Sequence, residues 1–125
     1  MILSLPSLPP SVNQARTMHK RGDKRFIGSS SVYRAWIEEM THRVKVQRGA
    51  QRVSGPFRIE FTATRPDKRK RDADNLLKAS LDAIVKGGAV DDDSDAAKIS
   101  IEWIEDGPPG MAIVISPIRQ FEAAA

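Results

Sequence analysis

Hydrophobic residues alternate with polar ones in two stretches of the chain, residues 57–65 and 97–104. A period of two is typical of a strand that buries one face and exposes the other. The apolar positions are Phe57, Ile59, Phe61 and Ala63 in the first stretch, and Ile99, Ile101 and Trp103 in the second. The pattern therefore predicts two half-buried strands.

Two shorter apolar stretches predict two further strands. Ile2–Leu5 ends at a proline-rich segment, and Met111–Ile115 follows the turn-forming residues 106–110. We expect Met111–Ile115 to form a hairpin with the strand at 97–104, because only a short turn joins them. Residues 11–28 are rich in basic side chains and lack a clear apolar period, so they are predicted to form a loop.

Apolar residues that recur every three or four positions predict two helices, at about 31–47 and 73–86. The first stripe consists of Val32, Trp36, Met40 and Val44, and the second of Leu77, Leu81 and Ile84. Serines at 29–31 offer N-cap groups for the first helix, and Gly87-Gly88 is a stop signal for the second. The resulting β-α-β-α-β-β order predicts an α+β, two-layer fold with helices packed on one mixed or mainly antiparallel sheet.

The length of 125 residues suits one domain, which we expect over residues 1–120 with a frayed tail at 121–125. The absence of cysteine excludes disulfides, thiolate catalysis and cysteine zinc sites. It also suits a reducing compartment, so we expect a cytoplasmic protein. No apolar stretch has the length of a membrane span, and no membrane partner is expected.

Charge is distributed unevenly along the chain. Residues 1–71 hold 16 Lys/Arg and 5 Asp/Glu, a net charge of +11, whereas residues 72–125 hold 4 and 11, a net charge of −7. The two values sum to the chain's +4. A basic half of this strength favours a polyanionic partner. A solvated surface of mixed sign is the alternative.

The candidate chemistry lies where the basic half meets the acidic half. Asp72 and Asp74 stand at the start of the predicted second helix, and an acidic segment, Asp91–Asp95, follows its end. Converging carboxylates repel one another unless a cation neutralises them, and hard oxygen ligands favour Mg²⁺ or Mn²⁺. Basic residues directly upstream suit a phosphodiester substrate; they are Arg65, Lys68, Arg69, Lys70 and Arg71. Together these features indicate a metal-dependent nuclease.

Simpler roles are open for each acidic residue. Asp72 suits an N-cap, and Asp74 suits the positive end of the helix dipole. Lys78, one turn after Asp74, could form an ion pair or could stabilise a phosphoryl transition state. Residues 91–95 could be a solvated loop, or a calcium loop, although Ala96 stands where that loop requires glycine. If the strands at 57–65 and 97–104 are neighbours, both acidic groups could meet at one end of the sheet.

These residues resemble the RusA family of Holliday junction resolvases, found largely in phages and prophages. The likeness rests on the basic run, on the sequence Asp-Ala-Asp-Asn-Leu-Leu-Lys at 72–78, and on Asp82, Gly88 and Asp91–Ser94. Leu8–Asn13 is similar to the family's opening motif, and Ser29–Arg34 to the start of its first helix.

The resemblance implies a small homodimer that binds four-way DNA junctions and makes paired nicks with Mg²⁺, Mn²⁺ substituting. It implies that Asp72, Asp74 and Asp93 are catalytic metal ligands and that Lys78 is the catalytic lysine. With three consecutive aspartates, the third ligand could instead be Asp92. Arg71 matches a family arginine concerned with DNA, so Arg65 and residues 68–71 are expected to bind the substrate.

Two rival functions stay open at this point. One is another branched-DNA nuclease, which a comparison of four-way, three-way and linear substrates would distinguish. The other is a non-catalytic DNA-binding module, which would bind DNA in the presence of a chelator and never nick it.

The predicted hydrolysis by an activated water, in line with the 3′ oxygen, leaves 5′-phosphate and 3′-hydroxyl ends.

Overall fold

A computed structural model describes residues 1–11, 16–21, 24–67 and 72–118; between 16 and 29 it describes the backbone alone. The elements, in chain order, are β1 (Ile2–Leu5), β2 (Arg16–Arg21), β3 (Lys24–Ser29), α1 (Ser31–Arg48), β4 (Phe57–Thr64), α2 (Ala73–Lys86), a 3₁₀ turn (Asp93–Asp95), β5 (Ala96–Ile104) and β6 (Met111–Pro117). The predicted α+β class is confirmed: two helices pack on a four-stranded mixed sheet. The predicted tail at 121–125 lies outside the described residues.

The sheet has the strand order β1-β6-β4-β5. β6 is antiparallel to both β1 and β4, whereas β4 and β5 are parallel. The expected hairpin between β5 and β6 is therefore wrong, because β6 crosses over the end of β4 and is inserted between β1 and β4. The turn at 106–110 is short but joins strands that are not neighbours.

The parallel pairing of β4 and β5 decides where the acidic segments lie. Phe57 is opposite Ala96 at the start of the two strands, and Thr64 is opposite Ile104 at their end. The helix α2 follows β4 and precedes β5, so it begins beyond the end of β4 and returns toward its start. The start and the end of α2 consequently lie at opposite ends of the sheet.

One hydrophobic core joins the helices to one face of the sheet. Phe57, Ile59 and Phe61 are almost fully buried there, and they belong to the same cluster as the core stripes of both helices. The predicted stripe of α1 holds except at its first member, Val32, which is 56% exposed. No helix in the described ranges is long and apolar enough to cross a membrane.

Residues 16–29, predicted as part of a loop, contain the hairpin of β2 and β3. The register pairs Met18 with Ile27, and Lys20 with Arg25 near the tip. The hairpin was missed because basic residues interrupt the apolar alternation on which strand prediction relies. Its sequence signal is the pair Gly22-Asp23 between two stretches of extended backbone, a composition typical of two-residue turns.

Candidate active site

Asp72 is the N-cap of α2, as the local sequence predicts. Its backbone is extended, and its Oδ1 accepts hydrogen bonds from the backbone N–H groups of Asp74, at 2.9 Å, and Asn75, at 3.3 Å. These bonds satisfy two donors that the first helical turn leaves without partners. The cap uses one carboxylate oxygen and fixes the orientation of an exposed side chain. The predicted N-cap is therefore confirmed, and these two bonds use only Oδ1 of the carboxylate.

Asp74 and Lys78 are both exposed and lie one helical turn apart on α2. The ion pairs among the described residues are Arg43–Glu39, Arg52–Asp91 and Arg65–Glu105. Lys78 therefore forms no ion pair with Asp74 or with Asp82. The simple intrahelical ion pair is thus not formed. A carboxylate and an ammonium group are presented to solvent along the same side of the helix.

Arg65 is the one member of the basic run that the described residues include. Its guanidinium lies 5.2 Å from the centre of the Trp103 ring and 3.4 Å from the Glu105 carboxylate. The aromatic ring restrains the planar group, and the exposed Glu105 carboxylate offsets part of its charge. Lys68, Arg69, Lys70 and Arg71 lie outside the described residues, so their expected role stays a prediction.

The three consecutive aspartates after α2 have different surroundings. Asp91 forms an ion pair with Arg52, 2.7 Å from Nη2. Asp92 caps the 3₁₀ turn, and its Oδ1 accepts from the Ser94 N–H at 3.1 Å. Asp93 begins the turn and is exposed. Two of the three carboxylates therefore have a structural role, and the third is Asp93.

Hydrogen bonding shifts the pKa values of Asp92 and Asp93 in opposite directions. The Ser94 N–H, followed by a side-chain bond with Asp93, lowers the pKa of Asp92. The side-chain bond with Asp92 raises the pKa of Asp93, with desolvation and the charges of Asp92 and Asp82 adding to it. The two neighbouring carboxylates therefore share a hydrogen bond, and the proton affinity of Asp93 is the one that it raises.

The acidic residues at the two ends of α2 do not meet within one chain. The charge of Asp82 contributes to the raised pKa of Asp93, so these two residues are near each other. Asp82 is eight residues beyond Asp74 on α2, which is about 12 Å along the helix axis. Over the described residues no group of three or more acidic or histidine side chains could hold a metal ion. The prediction that the two acidic groups meet at one end of the sheet is wrong for a single chain. The strands β4 and β5 are neighbours but run parallel, so the residues after the end of β4 and those before the start of β5 lie at opposite ends of the sheet.

Two site contacts were not predicted from the sequence. The Asn75 amide donates from Nδ2 to the Pro10 carbonyl at 2.8 Å, and the Tyr33 hydroxyl donates to Asp82 Oδ2 at 3.2 Å. Burial, together with the Asp82 charge, raises the pKa of Tyr33. Both bonds join residues more than 45 positions apart, so no local pattern signals them. The only sequence indication is that Asn75 and Asp82 lie within the motif itself.

Comparison with known proteins identifies the family of this chain. The family model for endodeoxyribonuclease RusA matches residues 7–116. The chain is 33% identical over 86 residues to crossover junction endodeoxyribonuclease RusA of Shigella sonnei, covering 69% of this chain and 68% of that protein. It is 30% identical over 94 residues to the corresponding protein of Enterobacteria phage HK97, covering 74% of each, and 34% identical over 86 residues to that of Enterobacteria phage 82. The chain belongs to the RusA endodeoxyribonuclease family.

Proposed function

We propose that the protein is a metal-dependent endodeoxyribonuclease that resolves four-way DNA junctions by paired, symmetric nicks. The observation that carries the proposal is the start of α2, where the exposed carboxylates of Asp72 and Asp74 directly follow the basic run in the sequence. The names of the relatives supply the substrate class.

The donor set at the start of α2 suits a hard divalent cation. It consists of carboxylate oxygens, both side chains are exposed, and the ion pairs among the described residues leave Asp72 and Asp74 unneutralised. Oxygen ligands of this kind favour Mg²⁺, with Mn²⁺ as a substitute. When bound, the cation supplies an activated water and offsets negative charge at the phosphate.

The remaining groups act on the phosphodiester itself. Lys78 lies one turn below Asp74, where its ammonium can stabilise the charge that develops on the phosphoryl oxygens. Arg65 and the basic residues 68–71 hold the backbone on either side of the scissile bond, and the β2–β3 hairpin holds a second arm. Breaking the bond to the 3′ oxygen leaves 5′-phosphate and 3′-hydroxyl ends.

The third ligand comes from a second subunit in this proposal. Asp93 lies near the start of β5, whereas Asp72 and Asp74 lie beyond the end of the neighbouring β4. A two-fold axis that sets two β5 strands antiparallel brings the start of one against the end of the other. The partner subunit's Asp93 would then complete each site, and a dimer would hold two sites related by symmetry.

The exposed edge of β5 supports this arrangement. β5 is the edge strand of the sheet, and its register puts Ile99 beside Ile59 and Ile101 beside Phe61. Ile59 and Phe61 are buried, yet Ile99 is 42% exposed, because the helices of this chain leave the last strand partly uncovered. An apolar edge with unpaired backbone groups is a natural surface for a second copy.

A cleavage assay on synthetic DNA tests the proposal. Four-way, three-way and linear substrates of matched sequence are incubated with the protein in magnesium and in a chelator, and nicked products are tested for ligation. We expect ligatable, symmetric nicks in the four-way junction only, and none with Asp74→Asn, which keeps junction binding. Equal cutting of three-way DNA would favour the broader branched-DNA nuclease. Binding without any nick would favour the non-catalytic module.

A further inference from the structure

A cleft of about 700 Å³ lies beside the start of α2, and of its lining residues only Arg65 has a role in the chemistry above. It is lined by residues 6–11, by Val32, by residues 64–66 and by residues 105–107 and 109–110. We call it the proline cleft. Its size is within the range of small-molecule pockets, and it lies where β4 and β5 end, next to the basic loop.

The proline cleft is fixed to the helical turn that carries the candidate metal ligands. The Pro10 carbonyl, in its wall, accepts the Asn75 amide, and Asn75 directly follows Asp74. On the other side, the Thr64 N–H donates to the Gly110 carbonyl at 3.0 Å. Gly110 has φ +92, and a Cβ there would lie 2.0 Å from the Leu5 carbonyl oxygen, so the walls meet closely.

The lining suits a flat, uncharged group with hydrogen-bond donors. Proline rings and the exposed Val32 side chain provide apolar surface, while Glu105 and Asp106 provide carboxylate oxygens. Those carboxylates disfavour a phosphate, and the ion pair with Glu105 already engages Arg65. A nucleobase has an apolar face, and its edge amines donate to carboxylates.

The basic loop supplies the reason that a base would reach this place. Pro66 lines the cleft, and residues 68–71 begin two positions after it in the sequence. In the proposed function the basic run binds a phosphate, and the base attached to that phosphate is the group that would enter the cleft. Enzymes that act on distorted DNA can take a base out of the stack, at a cost of a few kcal/mol that falls where pairing is already disturbed.

We propose that the proline cleft receives one unstacked nucleobase of the cleaved strand beside the scissile phosphate, and so influences where the strand is cut. The inference rests on the proposed junction-cleaving function. It adds to that function a recognition site for a base, formed by residues outside the acidic cluster and, except for Arg65, outside the basic run.

The test uses 2-aminopurine, which becomes brighter when it leaves the base stack. Four-way junctions carry it at successive positions around the crossover, and the proteins compared are Asp74→Asn and the same variant with Val32→Trp, which fills the cleft. Val46→Trp in the same background is the control, because Val46 is 66% exposed on the same helix and does not line the cleft.

We expect a rise in fluorescence at one position, lost with Val32→Trp and kept with Val46→Trp. Removing the base at that position should weaken binding by about fivefold for the parent and not at all for Val32→Trp, given the usual energies of base contacts. A rise that persists in Val32→Trp, or no rise at any position although the junction binds, overturns the inference. If Val32→Trp does not fold, the parent alone still tests the inference, because unchanged affinity for every abasic junction would overturn it. Failure to bind junctions at all refutes the proposed function instead.

Discussion

The side-chain amide of Asn75 donates to the backbone carbonyl of Pro10 across 2.8 Å and 65 positions of sequence. Asn75 accompanies two candidate metal ligands in the first turn of α2, and Pro10 belongs to the proline cleft. The bond therefore fixes the N-terminal segment against the helical turn at which cleavage is proposed. It connects the two surfaces that would have to hold one DNA strand together.

Asn75→Ala should slow cleavage more than it weakens the fold. Loss of one hydrogen bond costs about 1 kcal/mol of stability, whereas misplacement of the strand should lower the single-turnover rate by about tenfold or more. The control is Gln47→Ala: the Gln47 amide likewise donates to a distant carbonyl, that of Ser4, at 2.8 Å, and its Oε1 also accepts from the Ser4 N–H at 2.7 Å, so this variant should lose at least as much stability. If Asn75→Ala cleaves as fast as Gln47→Ala, with a loss of stability no larger than that of the control, Asn75 has only a structural role.

Lys78→Ala should retain junction affinity and lose cleavage. An ammonium group that acts on the developing phosphoryl charge contributes to the transition state alone, and such groups are worth about 100-fold in rate. Lys86→Ala removes an exposed lysine two turns further along α2 and should cleave normally. The measurement is the single-turnover rate beside the dissociation constant. A parallel loss of binding and rate would make Lys78 an ordinary phosphate contact.

The basic run should set the salt dependence of binding. Lys68→Ala combined with Arg69→Ala removes two phosphate contacts, which should lower the slope of log K against log salt by about 2. The control is Lys45→Ala combined with Lys86→Ala. It removes the same amount of charge from the last turns of α1 and α2, at the opposite end of α2 from Asp72. Binding measured from low to moderate salt gives the slope. If both pairs change it equally, net charge alone explains the effect.

Ile99→Glu should separate the proposed dimer. A carboxylate on the exposed apolar edge of β5 would have to be buried without a partner at the interface. Val46→Glu is the control, because Val46 is even more exposed and lies on α1 rather than on β5. Sedimentation at several protein concentrations reports the mass. A wild-type monomer, or an Ile99→Glu variant that remains dimeric, places the interface elsewhere.

Local features of the sequence predicted much of this molecule. The bounds of α2 follow from Asp72 at its start and Gly87-Gly88 at its end, and the structure confirms a helix over Ala73–Lys86. The alternation in β4 likewise matches its burial. Such elements are predictable because capping, stop signals and periodicity act over a few residues.

Pairing between distant elements was not predictable in the same way. The turn at 106–110 suggested a hairpin, but β6 pairs with β4 and β1, and β5 pairs with β4 in parallel. Strand order depends on how the buried faces of all strands fit one core, and no single stretch of sequence carries that information. The separation of Asp74 from Asp93 follows from the same pairing. Sequence therefore identified the acidic residues but misplaced them relative to one another.

A mixture of two inactive variants tests most directly whether Asp72 and Asp74 share a site with the partner subunit's Asp93. Asp74→Asn and Asp93→Asn are each inactive in the proposal, but a mixed dimer would join the unaltered Asp74 of one subunit to the unaltered Asp93 of the other. Half the dimers in an equal, re-equilibrated mixture are mixed, and each would hold one intact site.

The mixture should therefore recover about a quarter of the wild-type nicking activity, since two-fold symmetry gives two sites per dimer. Each mixed dimer should nick one strand without completing resolution. The measurement is the initial rate of nicking of a four-way junction in magnesium. A mixture as inactive as its components, with subunit exchange verified, would contradict the shared site.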